Sequence, residues 1–326
     1  MTSTIRTIFA ALLTALLLLG AAACGDEESD SSSSSETSSA GGEVAPIEEI
    51  SGASDVDLTI GSKNFTEQYI LGEIYAQAFE AAGYKVDTEL DLGSEQIAYK
   101  ALRDGDISAY PEYTGTALTS FFDVETADVP NDSDEAYELA KDEYAKVGIT
   151  APGDAPFNNT FVLASLPETQ EEVGGEAISD IAAAPDAESY RLAGFPECRQ
   201  RTDCLLGLED LYGWKPEFIS TEAKFEPLDQ DQSDFSLAFA TDPELSLGDY
   251  AVYEDDEGLF PPYHITLSMS DEVAEEIGPD GIELVERVQE PLTDEVMSEL
   301  NARVDLDKEE PEDVAGQYLE ESGFVQ

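Results

Sequence analysis

The sequence predicts an α/β fold arranged in two lobes, and three observations support this prediction. From Asp57 onward, patterns typical of strands and of helices alternate along the chain. A stretch rich in proline and glycine, residues 148–158, separates this first series from a second series of the same kind. Hydrophobic residues make up 41% of the chain, which is enough to build a packed core.

The first series begins with a strand over 56–60, in which apolar and polar residues alternate. In the helix that follows, Asn64 precedes Glu67 by three positions, a spacing that resembles a capping box. Apolar residues then recur on one helical face until Gly83, where we expect the helix to end. This face predicts packing of the helix on the strand.

Three further elements continue the series: a strand beginning over 84–92, a helix over 95–103 and a strand over 107–110 that ends at Pro111. The β-α-β-α-β order predicts a parallel sheet with helices on its faces. Ligands of such sheets bind at the carboxyl ends of the strands. Lys63 and the segment 110–116 lie at those ends, so we expect them near a ligand.

A helix over 136–147 follows these elements and precedes the break at 148–158. The second series again contains predicted strands and helices, and we detect no internal sequence repeat. The later predicted elements are a strand over 161–164, a helix over 205–211, a strand over 235–240 and helices near 271–277, 281–288 and 293–305.

The charge balance is strongly acidic, with 73 Asp and Glu residues against 15 Lys and Arg, a formal net charge of −58. This excess argues against binding to nucleic acid, whose phosphates need clustered basic residues, and against adhesion to an anionic membrane. Like charge destabilises a compact fold unless ions screen it, so we hypothesise an exported protein that works in concentrated salt. A single histidine argues against a zinc site, and we expect no metal and no cofactor.

The beginning of the chain is typical of an export signal. Residues 1–23 contain a basic residue, an apolar core and small residues, followed by Cys24. We predict a signal peptide over 1–23 that resembles a bacterial lipoprotein signal, with lipidation of Cys24; an ordinary secretory signal is the alternative. Residues 24–54 are rich in Ser, Asp, Glu and Gly, which predicts a flexible linker behind the lipid anchor.

The two remaining cysteines, Cys198 and Cys204, lie close together in the second series. In an exported protein such a pair most often forms a disulfide that holds a loop. A redox motif is the weaker interpretation, because the spacing is not Cys-x-x-Cys. A metal pair would need further Cys or His ligands nearby.

No catalytic motif is present. The sequence contains neither Gly-x-Ser-x-Gly nor a Walker loop. His264, the one histidine, has no nucleophile to activate, so we interpret it as a packing or hydrogen-bonding residue. We therefore predict that the protein is not an enzyme; a surface hydrolase is the competing class.

Two motifs identify a family. Residues 61–68 (GSKNFTEQ) and 110–116 (YPEYTGT) resemble the substrate-binding proteins of glycine betaine/choline-type ABC importers, which carry quaternary ammonium compounds. Further matching segments are 158–161, the loop of Arg201 with 207–208, 240–242 and 260–263. The resemblance spans the chain from Asp57 to its carboxyl terminus.

The resemblance implies a type II periplasmic-binding-protein-like fold, whose two lobes close on a ligand in the cleft between them. It places 55–157 and 262–326 in lobe I and 158–261 in lobe II.

The resemblance also implies an aromatic cage for the ammonium group, which falls on Tyr113, Phe161, Phe239 and Tyr263. A quaternary ammonium donates no hydrogen bond and is attracted to the faces of aromatic rings. The family commonly has Tyr at the positions of Phe161 and Phe239, which keep the ring face but lose the hydroxyl. Taken singly, each of these aromatic residues would more often belong to a core.

The same pattern places a clamp for the ligand carboxylate on Lys63, Thr116 and Arg201. Basic residues are scarce here, so two of them at one predicted site favour a zwitterionic betaine over choline. Alternatively, Lys63 is a solvated or helix-adjacent charge and Arg201 pairs with a neighbouring acid such as Asp203.

We therefore expect a monomeric, extracytoplasmic lipoprotein on the outer face of the cell membrane. It would bind glycine betaine or a related betaine for osmoprotection and deliver it to an ABC permease. The alternatives are choline, or another small solute such as an amino acid, on the same scaffold.

Overall fold

The computed structural model describes residues 44–326, and in this part of the chain the strands form two five-stranded sheets. The strands are β1 (Asp57–Gly61), β2 (Lys85–Glu89), β3 (Ala109–Tyr113), β4 (Ile149–Thr150), β5 (Phe161–Ser165), β6 (Arg191–Gly194), β7 (Glu217–Ser220), β8 (Phe235–Phe239), β9 (Ala251–Tyr253) and β10 (Ile265–Ser270). The predicted signal peptide, Cys24 and residues 25–43 of the predicted linker lie outside the described residues. Residues 44–54 of that linker pack on the domain instead: the N–H groups of Ile47 and Ile50 donate to the carbonyl oxygens of Phe324 and Ala82, and Ala53 is buried.

Helices cover the sheets. They are α1 (Thr66–Ala81), α2 (Glu95–Asp104), α3 (Thr114–Ser120), α4 (Ser133–Ala145), α5 (Pro167–Val173), α6 (Ile178–Ala183), α7 (Leu205–Leu211), α8 (Glu226–Asp229), α9 (Asp271–Gln289), α10 (Asp294–Asp305) and α11 (Pro311–Glu321). The predicted α/β class is thus confirmed, although α11 was not predicted.

Both sheets mix parallel and antiparallel strands. The first has the order β2-β1-β3-β10-β4, and the second has the order β7-β6-β8-β5-β9. In the first, β1 runs parallel to β2 and β3, as predicted, whereas β10 is antiparallel to both its neighbours. In the second, β6 is parallel to β7 and β8, and β5 is antiparallel to β8 and β9.

The crossings of the chain between the sheets explain the antiparallel strands. The parallel strands end at the edge where the two sheets face each other. The chain leaves the first sheet before β5 and returns to it before β10. Both strands therefore start at the edge where the parallel strands finish, and run the opposite way.

Two local predictions were wrong. β3 does not end at Pro111 but continues to Tyr113. Proline cannot donate to a ladder, and β1 pairs with β3 only at Ala109, so Pro111 needs no donor on that side. The capping box at Asn64 and Glu67 is also absent: Phe65 is the N-cap residue of α1 and makes no side-chain capping bond. Glu67 turns into the interior instead, as described below.

Each sheet has its own core. In the first, α1 is buried along most of its length and packs with α9, α10 and α11, and the core includes Leu71, Ile74 and Tyr75. In the second, Trp214 and Phe235 pack edge to face at the centre, with a centroid separation of 5.4 Å. The predicted lobe boundaries stay a prediction; the strands of the two sheets come from these same stretches.

The predicted helices 271–277 and 281–288 are joined in α9 around a break. Gly278 has φ 64° and ψ −172°, a backbone conformation that favours glycine, and Pro279 follows it.

Candidate ligand-binding site

A cavity lies between the two sheets, where the carboxyl ends of the parallel strands meet. Its empty volume is about 420 Å³, including the open mouth. The structure brings all seven residues of the predicted cage and clamp to this cavity, which is lined by Lys63, Phe65, Tyr113, Thr116, Asn159, Phe161, Phe195, Arg201, Phe239 and Tyr263. Their roles toward a ligand stay predictions.

Three lining residues were missed. Phe65 and Asn159 lie inside the recognised motifs, so the motifs themselves held the signal. Phe195 follows β6, a strand that was not predicted. Because no element was assigned around it, nothing in the sequence placed Phe195 at the cleft.

Strand register places the aromatic residues. Tyr113 is the last residue of β3, Phe161 the first of β5 and Phe239 the last of β8. Because β5 and β8 are antiparallel, Phe161 lies directly opposite Phe239. Their ring centroids are 5.4 Å apart.

The other rings extend this group. Phe161 lies 5.0 Å from Tyr263 and 5.5 Å from Phe195, measured between ring centroids. Phe65 stacks on Phe239 at 5.7 Å and on Tyr113 at 6.2 Å. Six aromatic residues thus form a continuous lining, which suits a bulky apolar cation.

Gly115 allows one of these rings to approach closely. A Cβ atom at this position would lie 2.8 Å from Cε1 of Tyr263 and 2.7 Å from the carbonyl oxygen of Pro262. A side chain at 115 would therefore displace the Tyr263 ring.

Both tyrosines of the cavity donate their hydroxyls to buried carboxylates. The Tyr113 hydroxyl lies 2.6 Å from Oε1 of Glu67, and the Tyr263 hydroxyl lies 2.6 Å from Oδ2 of Asp203. Burial, together with the neighbouring carboxylate, raises the pKa of each phenol well above its usual value. Both hydroxyls therefore stay protonated and serve as donors.

Glu67 is held by four donors although it is only 3% exposed. Its Oε1 accepts from Tyr113 and from Nδ2 of Asn159 at 2.7 Å; its Oε2 accepts from the Thr241 hydroxyl at 2.5 Å and from Nδ2 of Asn301 at 2.9 Å. Burial raises the pKa of Glu67, and these hydrogen bonds act in the opposite direction.

Lys63 is buried and already paired. Its Nζ lies 2.5 Å from Oε1 of Glu112 and 4.5 Å from the centroid of the Tyr113 ring. The ammonium group has three N–H donors, so this one hydrogen bond leaves donors for a ligand carboxylate. Lys63 is therefore not a solvated charge, because the residue is 5% exposed, although it does lie next to α1, which begins at Thr66.

Arg201 lines the cavity and also pairs with Asp203. Its Nε lies 2.8 Å from Oδ1 and its Nη2 lies 2.6 Å from Oδ2 of Asp203. Nη2 also lies 3.5 Å from the Thr116 hydroxyl, and the guanidinium carbon lies 5.2 Å from the Phe161 centroid. Burial opposes ionisation of Asp203, but the charge and hydrogen bonds of Arg201 outweigh it and hold the pKa of Asp203 below its usual range.

The site as a whole is not positively charged. The buried carboxylates around it outnumber the buried cations. The cations are Lys63 and Arg201, and the carboxylates are those of Glu67, Glu95, Glu112 and Asp203. A lone anion would find no net positive charge. A zwitterion can instead place its ammonium among the rings and its carboxylate on unused N–H groups.

The Cys198–Cys204 disulfide is present, and both half-cystines are fully buried. The loop between them carries Arg201, which lines the cavity, and its partner Asp203.

His264 does not line the cavity. Its Nδ1 lies 2.9 Å from the carbonyl oxygen of Ala155. Between residues 44 and 326, no group of three or more His, Cys, Asp or Glu side chains has the arrangement of a metal site. None of the helices in that range is both long and apolar enough to span a bilayer.

Comparison with known proteins identifies relatives of the whole folded part. Residues 56–321 match the family model described as the substrate binding domain of ABC-type glycine betaine transport systems. The chain is 31% identical over 278 residues to a glycine-betaine-binding protein of Pseudomonas aeruginosa, covering 81% of this chain and 87% of that protein.

A second relative and a solved structure extend the comparison. An ergothioneine transport permease/ergothioneine binding protein of Helicobacter pylori is 27% identical over 272 residues, which cover 82% of this chain and 48% of that protein. The crystal structure of a glycine betaine/carnitine/choline ABC transporter superposes with a TM-score of 0.66 at 23% identity, covering 83% of this chain and 100% of that chain. This likeness shows the shared two-lobed fold.

Proposed function

The chain belongs to the family of substrate-binding domains of ABC-type glycine betaine transport systems, and on that premise we propose that it binds glycine betaine and delivers it to the permease of an ABC importer. Substrate-binding proteins of such importers work outside the cytoplasm and bind their solute without transforming it. One observation carries the choice of ligand: a single cavity combines a continuous aromatic lining with two buried basic residues.

The aromatic residues would hold the trimethylammonium group. Tyr113, Phe161, Phe239 and Tyr263 are the proposed cage, and Phe65 and Phe195 complete its lining. A trimethylammonium group keeps its charge but presents only methyl groups, so ring faces attract it without requiring a hydrogen bond.

The clamp for the carboxylate would use Lys63, Thr116 and Arg201. Charge-assisted hydrogen bonds to a carboxylate are stronger than neutral ones. Glu112 and Asp203 hold the two cations in place, and each cation keeps N–H groups that these pairs do not use.

We further propose that the protein is a monomer held at the outer face of the membrane through lipidated Cys24. The part of the linker that precedes residue 44 would let the binding domain move between capture of the ligand and docking to the permease. Because betaines act as osmolytes, the biological role would be osmoprotection.

Titration calorimetry of the purified protein with glycine betaine, choline and proline tests this proposal. We expect glycine betaine to bind more tightly than choline, because choline has no anion for the clamp, and proline to bind weakest. Tighter binding of choline would overturn the clamp, and absence of binding by every quaternary ammonium compound would overturn the function.

A further inference from the structure

We infer that Glu67 determines how strongly the site discriminates a permanently charged ammonium group from an uncharged group of the same shape, by polarising Tyr113. The inference rests on the proposed function and deepens it. It assigns a specificity-determining role to a residue that does not line the cavity.

The hydrogen bonds of Glu67 match those of an ionised carboxylate. Four groups surround its two oxygens at 2.5–2.9 Å, and the two amide nitrogens among them, from Asn159 and Asn301, can only donate. A carboxylate that accepts on both oxygens from donors on four sides satisfies its lone pairs as an anion.

This negative charge has no ionic partner within residues 44–326. Glu112 pairs with Lys63 at 2.5 Å, and Asp203 pairs with Arg201 at 2.6 Å. Among residues 44–326, by contrast, no lysine or arginine forms a salt bridge with Glu67. Its charge is therefore stabilised by hydrogen bonds from neutral groups alone, and its field extends to its neighbours in a low-dielectric interior.

The Tyr113 hydroxyl connects this charge to the cavity. A phenol that donates a short hydrogen bond to a carboxylate gains electron density in its ring, which makes the ring face more attractive to a cation. One cation already occupies such a position, because Nζ of Lys63 lies 4.5 Å from the Tyr113 centroid.

The other proposed cage residues lack this connection. Phe161 and Phe239 have no hydroxyl. Tyr263 donates to Asp203, but that carboxylate already accepts two hydrogen bonds from Arg201. Of the four, Tyr113 is thus the one joined to a carboxylate without a basic partner in the described residues.

The competing explanation is purely structural. Glu67 accepts hydrogen bonds from Asn159, Thr241 and Asn301, which belong to distant parts of the chain. It could therefore serve only to hold these parts together. Loss of a residue that only supports the fold would weaken the binding of every ligand by the same factor.

Glu67→Gln separates these explanations, since it removes the charge and keeps the shape. Affinities are measured for glycine betaine and for 3,3-dimethylbutanoate, in which carbon replaces the ammonium nitrogen; competition against betaine gives the weaker affinity. We expect the ratio of the two affinities to fall about tenfold in the variant, mostly through loss of betaine binding. Equal losses for both ligands, or no change in either, would overturn the inference.

Two further variants test the route through Tyr113. Tyr113→Phe should lower the ratio by itself, and Glu67→Gln should then add little, because interacting residues are not additive. If Glu67→Gln lowers the affinity ratio as much in Tyr113→Phe as it does in the wild type, the role of Tyr113 is overturned. Thr241→Val removes a neutral donor from the same carboxylate and should leave the ratio near the wild-type value; a fall as large as that of Glu67→Gln would overturn the inference, because the ratio would then not report the charge of Glu67.

Failure of the inference is distinguishable from failure of the proposed function. A wild-type protein that does not bind glycine betaine contradicts the function. A wild-type protein that binds it, with a ratio that Glu67→Gln leaves unchanged, contradicts only the inference. If Glu67→Gln does not fold, Tyr113→Phe alone decides: an unchanged ratio overturns the inference.

Discussion

Arg201 combines two roles that the sequence presented as alternatives. Its Nε and Nη2 bind Asp203, while the side chain also lines the cavity. Nη1 makes no hydrogen bond within residues 44–326 and lies 4.0 Å from Oε1 of Glu95. The pair with Asp203 fixes the guanidinium, and the remaining N–H groups stay available to a ligand.

We predict that Arg201→Ala weakens glycine betaine binding about 100-fold and changes choline binding little. A hydrogen-bonded charge pair with a ligand carboxylate contributes roughly 1.5–3 kcal/mol, and choline has no carboxylate. Calorimetry with both ligands measures the difference.

Arg199→Ala is the matched control. Arg199 lies in the same disulfide loop, but it is exposed and packs on Phe218 outside the cavity. The Arg199→Ala variant should bind glycine betaine and choline with the affinities of the wild type. Equal losses for betaine and choline in Arg201→Ala would refute the clamp.

Asp203 predicts a pH dependence of stability. Its pKa in the folded state is lower than in the unfolded chain, where an Asp has a pKa of about 3.9. Ionised Asp203 therefore contributes fully to the free energy of unfolding above about pH 3.9. This contribution is lost as the pH falls through the folded-state pKa. Wild type should lose more free energy of unfolding than Asp203→Asn between about pH 5 and pH 2.

Urea unfolding of both proteins across this range measures the effect. At pH 7, Asp203→Asn should be less stable by about 3–5 kcal/mol, because it leaves a buried guanidinium without its carboxylate. Parallel pH profiles for the two proteins would contradict the assignment of the low pKa to Asp203.

At the scale of elements, the disulfide loop between Cys198 and Cys204 joins the two halves of the site. Three consecutive residues reach side chains beside the first sheet: Arg201 lies 3.5 Å from Thr116, Thr202 lies 2.9 Å from Thr126, and Asp203 lies 2.9 Å from Thr119, all between side-chain oxygen or nitrogen atoms. A loop that is ordered before binding loses less entropy when these contacts form.

We predict that Cys198→Ser/Cys204→Ser lowers betaine affinity about tenfold and lowers the free energy of unfolding by roughly 2–4 kcal/mol. Reduction of the wild-type protein with dithiothreitol should produce the same loss, and should have no further effect on the double variant. Unchanged affinity in a folded, reduced protein would contradict a role of the disulfide in ordering the loop.

At the same scale, strand register places the aromatic residues of the site. Phe161 and Phe239 belong to segments that are distant in sequence, and they meet because β5 and β8 pair antiparallel at the cleft. A shift of one residue in β5 would turn the Phe161 ring to the other face of the sheet, away from Phe239. The aromatic lining therefore depends on the pairing of strands as much as on residue type.

At the scale of the whole molecule, acidic residues cover the surface and few cations offset them. The formal net charge of −58 is distributed along the chain. Repulsion of this size opposes compaction, and salt weakens it because the Debye length falls from about 10 Å at 0.1 M to about 3 Å at 1 M.

We predict that the free energy of unfolding in urea rises between 0.1 and about 2 M NaCl. In the matched variant Glu272→Gln/Glu275→Gln/Glu276→Gln, three exposed acids of α9 lose their charge, and the rise should be smaller. A stability that stays constant or falls with salt would contradict the hypothesis of a high-salt habitat.

Much of this architecture was accessible from the sequence. Periodicity predicted β1, α1 and the parallel strands near them, since a buried face leaves a regular pattern. β10 and α11 were not recognised. β5 was predicted as a strand, but its antiparallel direction was not, because direction in a sheet depends on where the chain crosses between sheets. Glu67 shows the same limit: its spacing from Asn64 suggested a helix cap, but burial directs its side chain to Tyr113.

By itself, the sequence determined the α/β class, the family and the residue types of the site, because motifs and periodicity are local properties of the chain. Only the tertiary structure decided how those residues are paired. It surrounds the two cations with buried carboxylates, brings Phe65 and Phe195 into the aromatic lining and leaves Glu67 without a basic partner in the described residues. The physical reason is that charge pairing and burial depend on distances in space, which sequence separation does not specify.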